Sequence, residues 1–123
     1  MKNRWNLLGD IQENEVGEIE ASCFVPTDST WFEGHFPGEP ILPGIALVHT
    51  VQQAILHNAQ KKNEQVRLGE LRRVRFVQPV RPGETLKLSI AREEAGDEII
   101  YSFKILKDEN IVSSGLIIGK KEK

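Results

Sequence analysis

Apolar residues fall at every second position between Gly17 and Val25, where Ile19, Ala21, Cys23 and Val25 share one side. That is the period of a half-buried strand. The segment before it, to about Val16, is mixed and predicts no element. Pro26 to Pro43 reads as loop, because Gly34, Pro37, Gly38, Pro40 and Pro43 punctuate the backbone and exclude a regular helix. Trp31, Phe32 and Phe36 make this loop rich in aromatic rings, the mark of a segment that packs and has a task. From Pro43 to about Gln60 the spacing becomes helical. Pro43 suits the first turn, where a missing N–H costs nothing. Leu47, Val48, Val51, Ala54 and Ile55 form one face of this helix. His49, Gln53 and His57 follow one another at i, i+4 and i+8 on another side, with Ala46 and Leu56 among them, so the helix is expected to be covered on more than one side.

Beyond the polar exit Lys61 to Gln65, the two-residue period returns and lasts to the end. Val66 to Val77 is a long basic run with Leu71, Val74 and Phe76. Pro79 to Gly83 is a bend. Glu84 to Glu94 places Leu86, Leu88 and Ile90 on one face, and Ile99, Tyr101, Phe103 and Ile105 do the same after the turn Ala95-Gly96-Asp97. A second turn, Asp108-Glu109-Asn110, leads into Ile111 to Gly119. Successive hairpins predict antiparallel neighbours. One strand, a stiff loop, a buried helix and then at least four strands predict an α+β layer architecture.

The 123 residues suit one domain, 1–123, with no internal repeat. With 39% hydrophobic and 28% charged residues the chain reads as globular, not disordered. A net charge of -2 argues against nucleic acid as the main partner. The single cysteine, Cys23, allows no internal disulfide and points to a reducing compartment. Its place in an alternating apolar run makes it a core residue. No apolar stretch approaches the roughly 20 residues that span a bilayer. Met1 to Asp10 has no signal-peptide pattern, so a cytoplasmic location without membrane contact is expected. Lys120, Lys121 and Lys123 read as a frayed, solvated tail.

The densest chemical signal is the run from Gly34 to Gly44, Gly-His-Phe-Pro-Gly-Glu-Pro-Ile-Leu-Pro-Gly. Prolines and glycines around His35 hold its imidazole in place at little further entropy cost. Imidazole is the side chain best matched to proton transfer near neutral pH, so His35 is a candidate general base. A purely structural turn histidine is the competing reading. Gly44, at a helix N-terminus, offers a free N–H and the positive end of the helix dipole to a carbonyl oxygen. His57 reads as a partly exposed polar residue. It stands two turns from His49, too far for shared metal ligation, and no metal site is expected. Arg67, Arg72, Arg73 and Arg75 read either as a charged edge strand guarded against aggregation or as a docking surface for an acidic partner.

Gly34 to Gln53, with its Pro-Gly pairs and a helix carrying Gln53, resembles the signature of the FabZ-type and FabA-type 3-hydroxyacyl-ACP dehydratases. Leu71-Arg72-Arg73-Val74-Arg75-Phe76 and Pro79 to Glu84 resemble the strand and bend that follow the helix in that family. The resemblance runs from about Glu18 to Gly119. It implies a hot-dog fold, a long helix wrapped by a curved antiparallel sheet. It implies a homodimer or higher homo-oligomer joined through sheet edges, with the site between subunits. A heteromer with a related dehydratase is a further expectation, drawn from position 49 and not from the resemblance. The implied reaction removes water from a 3-hydroxyacyl thioester on acyl carrier protein, giving the trans-2-enoyl thioester, with no metal or redox cofactor. His35 matches the family's loop histidine, Gly44 the glycine whose N–H holds the thioester carbonyl, and Gln53 a helix glutamine beside the site. Phe36, Pro43 and Gln53 are expected to contact substrate.

Two departures matter. The family's catalytic carboxylic acid stands fourteen positions after the loop histidine, and here that position is His49. A cationic His49 donates a proton to the leaving hydroxyl; a neutral one binds it through N–H. The substitution leaves three readings: a working dehydratase, a weak or inactive relative that binds acyl chains or pairs with an active partner, and an acyl thioesterase. The second departure is the front end, where Trp5-Asn6-Leu7-Leu8 is the nearest counterpart of the family's N-terminal helix.

Overall fold

The computed structural model of the protein describes residues 6–29, 31 and 41–122. It contains β1 (Leu8–Glu13), β2 (Ile19–Phe24), α1 (Gly44–Lys61), β3 (Val66–Phe76), β4 (Thr85–Ala95), β5 (Glu98–Lys107) and β6 (Asn110–Lys121). The strands form one sheet in the order β1-β2-β4-β5-β6-β3, and every pairing is antiparallel. The helix packs on one face of this sheet, which is the hot-dog arrangement.

The alternation of β2, β4 and β5 decides which face is covered. Ile19, Cys23, Leu86, Leu88, Ile90, Ile99, Tyr101, Phe103 and Ile105 are all buried, and their neighbours in sequence point the other way. Against them the helix lays Ala46, Leu47, Val51, Ala54 and Ile55. Burial extends to Val48, Thr50, Asn58 and Ala59, so more than one side of the helix is covered, as its mixed pattern predicts. Each fully buried Leu or Ile contributes about 1.5–3 kcal/mol relative to exposure. Cys23 lies in this core, where burial pushes its thiol up to about 12.

The strand β1 is absent from the sequence-based assignment, and it pairs with β2 as an outer strand. The last residues of β6 also revise that reading of the chain. Lys120 pairs across the sheet with Glu98, and Lys121 pairs with Val66 and forms an ion pair with Glu94. These lysines therefore continue β6 and are not a frayed tail; Lys123 lies outside the described residues. The helix itself stops in a turn, with Lys62 N–H donating to the carbonyls of Asn58 and Ala59 and Asn63 at φ 58. Among the described residues no helix is long and apolar enough to cross a membrane.

Candidate active site

The helix N-terminus is built by a proline and by a tether. Pro43 sits at the N-cap in an extended conformation, and Gly44 opens the helix. The Leu42 N–H donates to the carbonyl of Val80 at 2.7 Å, which fastens the end of the loop to the bend after β3. As a result, Phe76 and Val77 lie beside the first helical turn. They line, with Ile41, Pro43, Gly44 and Ile45, an apolar hollow of about 490 Å3. A Cβ on Gly44 would stand 2.7 Å from Phe76 Cζ, so the ring lies directly against the glycine.

His49 follows Gly44 by about 7.5 Å of helix rise. It is half-buried between Val48 and Thr50, both of which are buried. Its ring faces Trp31, with centroids 5.9 Å apart and planes at 55°. Gln53 is one turn further on the same face. Its Oε1 is buried and, among the described residues, has no hydrogen-bond partner. Gln53 and the exposed His57 line a hollow of about 640 Å3 between the helix and β1, with Asp10 on the opposite wall.

The expected site residues thus divide in two. Gly44, His49 and Gln53 stand on one helix, Pro43 caps it, and His49 and Gln53 share a face. His35 and Phe36, the catalytic and substrate-contacting residues expected of the loop, lie outside the described residues. Two rings that bear on the site are not among the site residues expected from sequence. Trp31 belongs to the aromatic loop but gives no sign of touching position 49. Phe76 reads as one strand residue among several. Only their shared apolar character, next to a site of polar residues, could have pointed to them.

The basic cluster lies on the outer strand β3, where all four arginines are exposed. Arg67 pairs with Glu122, and Arg72 with Glu70. Exposure on an outer strand fits both readings of the cluster, the guarded edge and the docking surface. Among the described residues, no group of three metal-ligating side chains comes together.

A family model described as ApeI-like, ApeI dehydratase, matches residues 11–116. The chain belongs to the ApeI-like dehydratase family. Its curated relatives include the 3-hydroxyacyl-acyl-carrier-protein dehydratase FabZ of Pediococcus pentosaceus, 30% identical over 98% of this chain and 89% of that protein. The FabZ of Lactobacillus helveticus is 32% identical over 79% of this chain and 70% of that protein. Among solved structures, the dehydratase heterocomplex ApeI:P from Xenorhabdus doucetiae superposes with a TM-score of 0.68 at 24% identity, covering 98% of this chain and 99% of that one. A mutant of the fluoroacetyl-CoA-specific thioesterase FlK reaches a TM-score of 0.70 at 13% identity, covering 93% and 90%. The last two likenesses establish the hot-dog fold. The reaction is carried by the ApeI-like and FabZ matches, because one fold hosts both dehydration and thioester hydrolysis.

Proposed function

We propose that this ApeI-like protein is a hydro-lyase that removes water from 3-hydroxyacyl thioesters presented by acyl carrier protein. His35 takes the proton from C2, and the Gly44 N–H holds the thioester carbonyl as negative charge develops on its oxygen. The bond from C3 to the hydroxyl oxygen breaks. His49, in its cationic form, gives that oxygen a proton, and the trans-2-enoyl thioester and water leave. Phe36, Pro43 and Gln53 contact the substrate. No metal or redox group enters this scheme. A second subunit, identical or a related dehydratase, completes the site along an open sheet edge; β1 and β3 are the outer strands. The lone, buried Cys23 supports a cytoplasmic setting.

The observation that carries this reading is the face of α1, where His49 and Gln53 stand one turn apart and the buried Gln53 Oε1 lacks a donor among the described residues. A buried amide oxygen without a partner costs about 1–3 kcal/mol, and a donor on a bound acyl-pantetheine group removes that cost. Membership of a dehydratase family supplies the reaction type.

One observation favours a second reading. An imidazole at position 49, where related dehydratases carry a carboxylic acid, also fits a weak or inactive chain that binds acyl groups or partners an active subunit. The deciding experiment offers purified protein a short and a medium 3-hydroxyacyl-ACP and follows dehydration, the reverse hydration and thioester hydrolysis by mass spectrometry. Turnover that His35→Ala and His49→Ala both abolish is the expected result. No turnover by the wild type, with activity appearing in His49→Glu, establishes the second reading. Release of free acid without enoyl product establishes a thioesterase.

A further inference from the structure

The contact between Trp31 and His49 joins two segments that are each held independently. On the loop side, the Ser29 N–H donates to the Pro26 carbonyl at 3.2 Å, and Ser29 itself is buried. Ser29 Oγ then accepts the Trp31 backbone N–H at 3.3 Å. The indole packs against the edge of the core. The loop base is in turn tied to the sheet, since the Val25 N–H donates to the Glu84 carbonyl at 3.0 Å. On the helix side, the rotation of α1 is set by Val48 and Thr50, the buried residues that flank His49; the Thr50 hydroxyl is satisfied within the helix, where it donates to the Ala46 carbonyl at 2.8 Å. Neither ring is therefore free to drift from the other without disturbing a packed element.

The geometry is that of an attractive aromatic pair. A separation of 5.9 Å with a 55° tilt falls within the range in which the positive edge of one ring meets the negative face of another. An imidazole forms such a pair whichever of the two rings presents its face. A carboxylate has no ring and forms no such pair. His49 is only half-buried and has two rotatable side-chain bonds, so without the indole its ring is free to leave the orientation needed for proton delivery.

We infer that Trp31 is a positioning residue for His49: indole and imidazole form a matched pair, in which the tryptophan holds the ring that takes the place of a carboxylic acid. The inference rests on the dehydratase reading for its kinetic arm and is independent of it for its spectroscopic arm. It also carries a specific consequence. A carboxylate introduced at position 49 cannot keep the ring pair with Trp31, so the two positions are coupled and their substitutions do not add.

The spectroscopic test uses NMR of the His49 ring protons in the protein without substrate, assigned with His49→Gln. The ring current of Trp31 displaces these resonances, and Trp31→Leu is expected to return them toward ordinary histidine values, with Trp31→Phe in between. Unchanged shifts overturn the pairing whatever the activity. The kinetic test is a double-mutant cycle. Trp31→Leu is expected to lower kcat about three- to tenfold, the size of one aromatic pair, with little change in KM. In the His49→Glu background the same change is expected to leave kcat unaltered or raised. A similar loss of kcat in both backgrounds overturns the positioning role in favour of a general packing role. Trp31→Phe is expected to retain most of the wild-type kcat, and Trp31→Met replaces the leucine variant if that one does not fold. Altered shifts in a protein that shows no turnover in any variant overturn the dehydratase reading and leave the pair standing.

Discussion

The ring of Phe76 lies so close to Gly44 that an added methyl group would stand 2.7 Å from its Cζ and 2.8 Å from its Cε1. The two residues come from different elements, the first residue of α1 and the last of β3. The tether from Leu42 to Val80 brings them together. The glycine proposed to hold the thioester carbonyl through its N–H is thereby covered on its α-carbon side by an aromatic ring.

This contact predicts a steric rescue. Gly44→Ala must displace the ring, and because Phe76 is 52% exposed the ring can swing outward. The expected cost in stability is therefore near the low end for overpacking, about 1 kcal/mol. The double variant Gly44→Ala/Phe76→Ala should recover that loss against Phe76→Ala alone. Urea denaturation of the four proteins measures it, and additive effects would show that Phe76 is not what excludes a side chain at position 44.

Gln53 and Tyr101 should separate stability from activity. The Tyr101 hydroxyl and Gln53 Oε1 are both buried without a partner among the described residues. Removing an unsatisfied polar atom while keeping the shape is neutral or stabilising. Tyr101→Phe should thus raise stability by up to about 1 kcal/mol and leave turnover alone. Gln53→Leu should keep or raise the melting temperature while turnover falls, since the orphaned oxygen is the one expected to receive a donor from the substrate. Thermal unfolding paired with steady-state kinetics checks both; a Gln53→Leu protein of unchanged activity would remove Gln53 from the site.

The acid limb of stability should depend on Arg92. Its guanidinium holds both carboxylate oxygens of Glu64 at 2.8 and 3.1 Å and reaches Glu94 at 2.9 Å. The hydrogen bonds from Arg92 hold Glu64 below its ordinary value of 4.5, and Lys121 followed by Arg92 does the same for Glu94. Carboxyl groups depressed in the folded state stabilise it fully above their unfolded value and lose that contribution as pH falls through the folded one. Stability should therefore decline below about pH 4.5, and Arg92→Met should flatten that decline. At neutral pH the partly exposed bidentate pair is worth about 1 kcal/mol. Denaturant midpoints between pH 3 and 7 measure the slope; identical slopes in both proteins would exclude the pair as its source.

The strands that alternate cleanly were legible because nothing interrupts their pleat. Leu86, Leu88 and Ile90 stay in step with Phe103 and Ile105 across β4 and β5. The strand β1 was not legible for a local reason. Leu8 faces Cys23 while Ile11 faces Ala21, so three residues on β1 span two on β2 and the two-residue period is broken. Irregularities of the same kind interrupt β3, where Arg73 sits at φ 54. On the site, Gly44, His49 and Gln53 could be placed from one helical period. Trp31 and Phe76 could not, because their contacts join segments far apart in sequence.

The burial of Cys23 bears on how this protein is assayed. The chain has one thiol, it is 3% exposed, and burial raises it to about 12, so almost no thiolate forms at neutral pH. A chromogenic thiol reagent added to the native protein should stay colourless. Any early colour in a thioester reaction then counts liberated pantetheine, and the slow colour that follows denaturation counts unfolded molecules, one sulfur to each.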